Sequence, residues 1–199
     1  MMGFVSKRNK VYLCDNIVFK EHKSRDAAVQ EAEFLHILGS NGVAVPKVIE
    51  IKKNVLCLEY ITGIPLPDFM LEHDAIDRCS KVAASITIWL ESYYKAVNYN
   101  TTSEIRGDVN GRNFLVVNDN IIGVDFEEHI YGRRESDFGR LLAYIATYDY
   151  DDTKVQRTLE EKLIESFIKR FSISGNELQK EKAIELKVLE GFRKRRNMI

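Results

Sequence analysis

Three polar residues near the middle of the chain have the types and spacing needed for chemistry on phosphate groups. Asp108 and Asn113 lie in a short polar loop, and Asp125 follows two apolar, strand-like runs at 114–117 and 122–124. An Asp can orient an attacking hydroxyl and take its proton, whereas an Asn oxygen and a second carboxylate can hold Mg²⁺. Because Mg²⁺ keeps several waters and needs few protein ligands, one amide and one carboxylate suffice. The pattern therefore predicts magnesium-assisted phosphoryl transfer.

The first third of the chain has the residue pattern of a small antiparallel sheet with one helix. Short runs of β-branched and aromatic residues flank Asp15 and Asn16, which is a hairpin signal, and Lys20 ends the second run. From Ser24 the apolar residues change to helical spacing. The predicted strands are 10–14, 17–20, 43–49 and 55–58, and the predicted helix is 24–38.

The rest of the chain is predicted to be mostly helical, with the Asp108 to Asp125 region set between the first two helices. Helical spacing covers 74–97, 136–149, 154–171 and 176–195. Sheet followed by helices indicates an α+β chain with two lobes. We expect an N-terminal lobe at 1–58, a linker at 59–65 and a helical C-terminal lobe at 66–199. A cofactor would usually bind in the cleft between such lobes.

Composition narrows the functional class. The formal net charge of −1 argues against a general binder of nucleic acid, although a local basic run occurs at 193–196. The three cysteines form no C-x-x-C pair, so zinc and redox roles are not indicated. The sequence has no signal-like segment and no membrane-spanning run, which predicts a cytoplasmic protein.

The order of these segments resembles the protein-kinase-like superfamily, specifically its aminoglycoside phosphotransferase and choline kinase branch, to which RIO kinases and the small KEOPS kinase are related. Residues 30–38 and 42–48 are similar to the branch's R-E-A-x-x-L-x-x-L and G-V-P-V-P-x-V motifs. Residues 58–63 resemble its M-E-Y-I-x-G linker, 106–113 its H-G-D-x-x-x-x-N loop, and 124–127 its I-D-F-E segment. The resemblance implies a two-lobed kinase-like fold with ATP and Mg²⁺ as cofactors.

The resemblance also implies a role for individual residues. Asp108 would be the catalytic base, and Asn113 and Asp125 would be catalytic magnesium ligands. Lys20 would contact the nucleotide phosphates, with Glu31 as its ion-pair partner on the helix. The linker residues Glu59 and Ile61 would hold adenine through their backbone groups. Ser6 would meet phosphate in the N-terminal loop, and Asp137 would brace the catalytic loop.

Several positions depart from the family pattern. Arg106 stands where the branch has His, and the expected phosphate loop at 3–10 contains a single glycine, which leaves the affinity for ATP open. The literal D-F-G at 137–139 runs straight into a helical pattern without a preceding strand. We therefore place the metal ligand at Asp125 rather than at Asp137.

The sequence thus favours a phosphotransferase that moves the γ-phosphoryl group of ATP to a hydroxyl of a small molecule, such as a sugar, an amino alcohol or a lipid-linked saccharide. The compact helical lobe and the basic tail leave a second hypothesis, an atypical protein kinase or partner-activated ATPase of the RIO or KEOPS type. A non-catalytic nucleotide-binding protein is a third hypothesis. It is disfavoured because Lys20, Glu31, Asp108, Asn113 and Asp125 are all present.

Overall fold

The structure is a computed structural model that describes residues 2–4, 10–150 and 152–196, with side chains for 10–150 and 152–191. The predicted α+β architecture is confirmed. A five-stranded antiparallel sheet has the strand order β1-β2-β3-β5-β4. Its strands are β1 (Met2–Phe4), β2 (Lys10–Cys14), β3 (Ile17–Glu21), β4 (Val48–Lys52) and β5 (Val55–Glu59).

The β2–β3 hairpin forms as predicted, because Asp15 and Asn16 both adopt positive φ, as a tight two-residue hairpin turn requires. Helix α1 (Arg25–Ser40) follows it, and the Ser24 hydroxyl accepts the Ala27 N–H at 3.2 Å. The helix runs through Gly39 instead of ending there. The strand predicted at 43–49 begins only at Val48; Pro46, which has no N–H to donate to a ladder, lies in the irregular stretch before it.

The remaining chain is mostly helical and packs around α3 (Ala75–Ala96). Helix α3 contacts α6 (Lys154–Phe171), and α5 (Arg134–Thr147) contacts α7 (Gly175–Arg196). The predictions did not anticipate two single-turn helices, α2 (Leu66–Phe69) and α4 (Tyr99–Thr102). No helix in the described part of the chain is long and apolar enough to cross a membrane.

Two small sheets position the central loop. Strands β8 (Phe114–Val117) and β9 (Asn120–Gly123) form the expected hairpin, and β6 (Ile64–Pro65) pairs with β8. Strand β7 (Glu104–Ile105) pairs with β10 (Ile130–Tyr131). Their shared core includes Trp89 of α3, which packs edge-on against Phe114. The loop between β7 and β8 is therefore held at both ends by hydrogen-bonded strands over an aromatic core.

Candidate functional site

Lys20 and Glu31 form a buried ion pair between the sheet and α1. Lys20 lies near the end of β3, paired with Val11 on one side and Leu56 on the other. Glu31 lies on the buried face of α1, and its Oε1 is 2.8 Å from Lys20 Nζ. Glu33, the other acidic residue in this part of the helix, is exposed. The helical period, which turns Glu31 and not Glu33 toward the sheet, makes this pairing possible.

Two further carboxylates contact the same ammonium group. Lys20 Nζ lies 2.6 Å from Asp125 Oδ1 and 2.8 Å from Glu127 Oε1. Burial disfavours the charged form of Lys20, but the nearby Glu31, Asp125 and Glu127 outweigh burial and raise the pKa of the amine. The strand, the helix and the segment after β9 thus converge on one cation.

Glu31 is held from three sides. Burial alone would raise the pKa of its carboxyl, but contacts with His22 and Lys20 and the Phe126 N–H lower it to about 2. His22 Nε2 lies 3.1 Å from Glu31 Oε2, and Phe126 N–H donates to Oε1 at 3.1 Å. The role of His22 was missed in the sequence. Its signal was its position two residues after Lys20, because alternate residues of an extended chain share a face.

These groups open onto a cleft of about 370 Å³ between the sheet and the β8–β9 hairpin. Glu59 and Ile61 of the predicted linker line one end with apolar neighbours that include Val18 and Leu58. The N–H of Glu59 already donates to Lys47 O at 2.9 Å. An adenine contact from Glu59 would therefore have to use its carbonyl.

The loop that carries Asp108 and Asn113 is fixed by its own backbone. Asp108 is partly exposed, and its Oδ1 accepts the Asn110 N–H at 3.3 Å. Residues Gly111–Asn113 form one 3₁₀ turn, and Asn113 O accepts the Val124 N–H at 2.9 Å. This last bond joins the loop to the residue before Asp125. Asn113 and Asp125 line the same cleft as Lys20, whereas Asp108, on the same loop, is not among its lining residues.

Asp137 anchors the start of the loop from below. Its fully buried carboxylate accepts the backbone N–H of Arg106 at 2.8 Å, the N–H of Gly107 at 2.9 Å and the Tyr94 hydroxyl at 3.0 Å. Burial raises the pKa of Asp137, and these hydrogen bonds counter part of that increase. The literal D-F-G is inside α5, as the sequence pattern predicted. A Cβ on Gly139 would lie 2.5 Å from the backbone of Glu181, so this glycine allows α5 and α7 to pack closely.

Arg106 links the loop to the segment around Asp125. Its side chain is only 1% exposed, and one guanidinium nitrogen, Nη2, donates to the carbonyls of Val124 at 2.8 Å and Asp125 at 2.6 Å. The guanidinium also lies over the Phe126 ring, 4.5 Å from its centroid. The fixed positive charge thus braces the backbone rather than pointing into the cleft.

Asp125 has an unusual backbone and an accessible side chain. Its φ of +66° is uncommon outside glycine, although Asp tolerates it better than most residues. Its side chain is 45% exposed at the cleft. Hydrogen bonds of the neighbouring Val124 and Phe126 backbone hold Asp125 in this conformation.

One predicted residue lies outside the described part of the chain, and one residue of the cleft was not predicted. Ser6 and residues 5–9 of the predicted phosphate loop lie outside the described residues. Arg112, which was not selected from the sequence, lines the cleft. Its sequence signal was its place directly before Asn113.

The fold and this arrangement of residues define a protein-kinase-like protein. The chain resembles ADP-bound aminoglycoside phosphotransferase APH(2'')-Ib with a TM-score of 0.62 and 14% identity, covering 90% of this chain and 80% of that one. It also resembles APH(2'')-IIa in its ternary complex with streptomycin and ATP. The TM-score is 0.62 at 13% identity, and the match covers 92% of this chain and 80% of that one. Amicoumacin kinase hAmiN, in complex with AMP-PNP, Ca²⁺ and Ami, gives a TM-score of 0.56 at 10% identity, covering 85% and 72%.

A family model described as the RIO domain matches residues 7–142. The chain therefore belongs to the RIO domain family, and its predicted membership of the kinase-like superfamily is confirmed. No curated protein matches the sequence.

Proposed function

We propose that this protein is an ATP- and Mg²⁺-dependent phosphotransferase that moves the γ-phosphoryl group to a hydroxyl of a small molecule. The observation that carries the proposal is the convergence of Lys20, Glu31, Asn113 and Asp125 on one cleft, with Asp108 beside it on a braced loop. These residue types in this arrangement match what phosphoryl transfer requires, which is positioning and electrostatic stabilisation.

The cleft offers complementary surfaces for a nucleotide. Apolar side chains at its linker end suit an adenine ring, and backbone groups near Glu59 and Ile61 suit its polar edge. Lys20, oriented by Glu31, would contact the phosphates. One structural relative, APH(2'')-IIa, binds ATP and another, amicoumacin kinase, binds AMP-PNP, which supports this proposal.

Asn113 and Asp125 fit Mg²⁺ by donor chemistry, since an amide oxygen and a carboxylate both belong to residues that line the cleft. When bound, Mg²⁺ would neutralise charge on the phosphate oxygens. The Val124 to Asn113 backbone bond and the Arg106 contacts hold the two ligand residues at a fixed separation.

Asp108 would orient the hydroxyl of the acceptor and take its proton as the new bond to phosphorus forms. The proton passes to the Asp108 carboxylate, and the bond from phosphorus to the leaving oxygen of ADP breaks. The N–H groups of Arg106 and Gly107 donate to the Asp137 carboxylate, and these hydrogen bonds position the backbone just before Asp108. Transfer from ATP would take place in the cytoplasm.

Thermal unfolding tests the nucleotide part of the proposal. At about 100 times its dissociation constant, Mg-ATP should stabilise the protein by about 2.7 kcal/mol. Asp108→Asn should keep this stabilisation and lose about 10²-fold to 10⁴-fold in ADP release with an acceptor. Asp125→Asn should lose the Mg²⁺-dependent part of the stabilisation. An unchanged melting temperature of the wild type with Mg-ATP would refute the proposal.

A second candidate is an atypical protein kinase or a partner-activated ATPase. The observation that favours it is the RIO domain match over 7–142. Following ADP release with a metabolite panel and with candidate protein partners distinguishes the two. Turnover that requires a protein partner would support this candidate against the small-molecule proposal.

A further inference from the structure

The residues that line the cleft include two cations with very different surroundings. Lys20 is buried among three carboxylates within 2.8 Å, so its charge is more than balanced within the protein. Arg112 is exposed, and within 10–150 and 152–191 no carboxylate lies within 4.0 Å of its guanidinium. Among the described residues, Arg112 therefore presents a positive charge that no carboxylate pairs with.

The backbone that carries Arg112 is held by hydrogen bonds and close packing. The Arg112 N–H donates to Asn110 Oδ1 at 3.0 Å, and the Tyr148 hydroxyl donates to the same oxygen at 3.1 Å. Gly111 packs so tightly that an added Cβ would lie 2.8 Å from the Tyr148 hydroxyl. A turn held in this way reduces the entropy lost when its side chain binds a ligand.

The positive charge of Arg112 also acts on two nearby tyrosine hydroxyls, those of Tyr148 and Tyr150. Burial raises the pKa of both Tyr148 and Tyr150, and the positive charge of Arg112 opposes part of each increase. The Tyr150 hydroxyl donates to Pro67 O at 2.8 Å, which ties Tyr150 to α2. Arg112 thus belongs to the side of the catalytic loop formed by α2 and 148–150.

A planar guanidinium binds phosphate and carboxylate groups through paired hydrogen bonds, and it does so best where no internal carboxylate competes. Asp68 is close enough to raise the pKa of Tyr150, but no ion pair joins it to Arg112 in the described part of the chain. The phosphates of a nucleotide would lie against Lys20, Asn113 and Asp125. The side of the loop that carries Arg112 is left for the acceptor.

We propose that Arg112 binds a phosphate or carboxylate group of the acceptor, so that the substrate is an anionic hydroxyl compound. This inference rests on the proposed function. It assigns to Arg112 a specificity role that is separate from nucleotide binding.

The test uses the full chain saturated with Mg-ADP, with paired probes that differ in charge: glycerol against glycerol 3-phosphate, and glucose against gluconate and glucose 6-phosphate. Thermal shift and calorimetry give the affinity of each probe for the wild type, Arg112→Gln and Arg157→Gln. Arg157 is an exposed arginine on α6 outside the cleft and is the matched control.

We expect at least one anionic probe to bind the wild type and Arg157→Gln, and its uncharged counterpart to bind more weakly. Arg112→Gln should weaken the anionic probe by about tenfold or more while the affinity for Mg-ADP changes by less than about twofold. The inference is overturned if no anionic probe binds the ADP-loaded wild type, or if Arg112→Gln binds it equally well. A tenfold or greater loss of Mg-ADP affinity in Arg112→Gln, about 1.4 kcal/mol, would also overturn it by assigning the residue to the nucleotide.

Mg-ADP measured alone separates this inference from the proposed function. Failure of Mg-ADP to bind the wild type overturns both. Binding of Mg-ADP without a preference for anionic probes overturns only the role of Arg112.

Discussion

Replacing Asp137 with Asn tests whether this buried carboxylate holds the catalytic loop. The Asp137 carboxylate accepts three hydrogen bonds, and two of their donors are backbone N–H groups that cannot rotate away. The least costly orientation of Asn keeps its oxygen at the Oδ2 position, near Arg106 and Tyr94. The side-chain NH₂ group of Asn then faces the Gly107 N–H. The hydrogen bond from Gly107 is lost, and two donor groups point at each other.

The size of the effect follows from these contacts. A hydrogen bond to a charged group contributes about 1.5–3 kcal/mol, and the neutral amide recovers part of this because burial already disfavours the Asp137 charge. We expect a net loss of about 2 kcal/mol in the free energy of unfolding. For a chain of this length, that loss lowers the melting temperature by about 4–8 °C.

Urea unfolding and calorimetry measure the stability, and hydrogen exchange of a peptide covering 104–109 localises the change. If the free energy of local opening of the loop falls by about 2 kcal/mol, its amides should exchange about 30-fold faster. Asp77→Asn, at an exposed position of α3, is the control and should stay within about 0.5 kcal/mol of the wild type. An Asp137→Asn variant with unchanged stability and unchanged exchange at Gly107 would refute this account of loop bracing.

Three other changes have defined outcomes. Because the pKa of Glu31 is lowered, its ionised form adds stability above about pH 4.5, and this stability is lost as the pH falls toward about 2. The difference in unfolding free energy between the wild type and Glu31→Gln should therefore shrink over that pH range. A constant difference would contradict the buried ion pair. Gly139→Ala should lower stability by about 1–3 kcal/mol by pushing α5 from the backbone at Glu181, and equal stability would show that the helices pack less closely. The Cβ of Gly111→Ala should clash with the Tyr148 hydroxyl and lower the free energy of unfolding. Combining it with Tyr148→Phe should recover at least about 0.5 kcal/mol of that free energy in a double-mutant cycle. Losses of stability that simply add would count against the contact.

The sequence predicted the local elements because their signals are local. Asp15 and Asn16 specify a tight turn, Ser24 caps a helix, and apolar periodicity identifies the four long helices after the linker. The residues nominated for chemistry were found by their order along the chain. This order is a one-dimensional signal that a single sequence contains. The lobe boundaries at 59–65 and the individual catalytic roles stay predictions.

Contacts across the fold could not be predicted in the same way. Lys20 and Asp125 are 105 residues apart, and their 2.6 Å contact depends on how the sheet packs over the β8–β9 hairpin. Arg106 has no sequence signal for its two carbonyl partners, because backbone acceptors are the same at every residue. The roles of His22 and Arg112 depend on their surroundings in the fold. His22 is buried against Glu31. Arg112 has no described carboxylate that neutralises its charge.

The sequence alone therefore determined the α+β architecture and which residues could act on phosphate, since residue type, period and order specify these. The tertiary structure decided how the charges are arranged. It placed three carboxylates on Lys20, turned the Arg106 charge inward onto carbonyl oxygens and left the Arg112 charge exposed at the cleft. The physical reason is that electrostatic energy depends on distance and burial, and both are set by packing between segments that are remote in sequence.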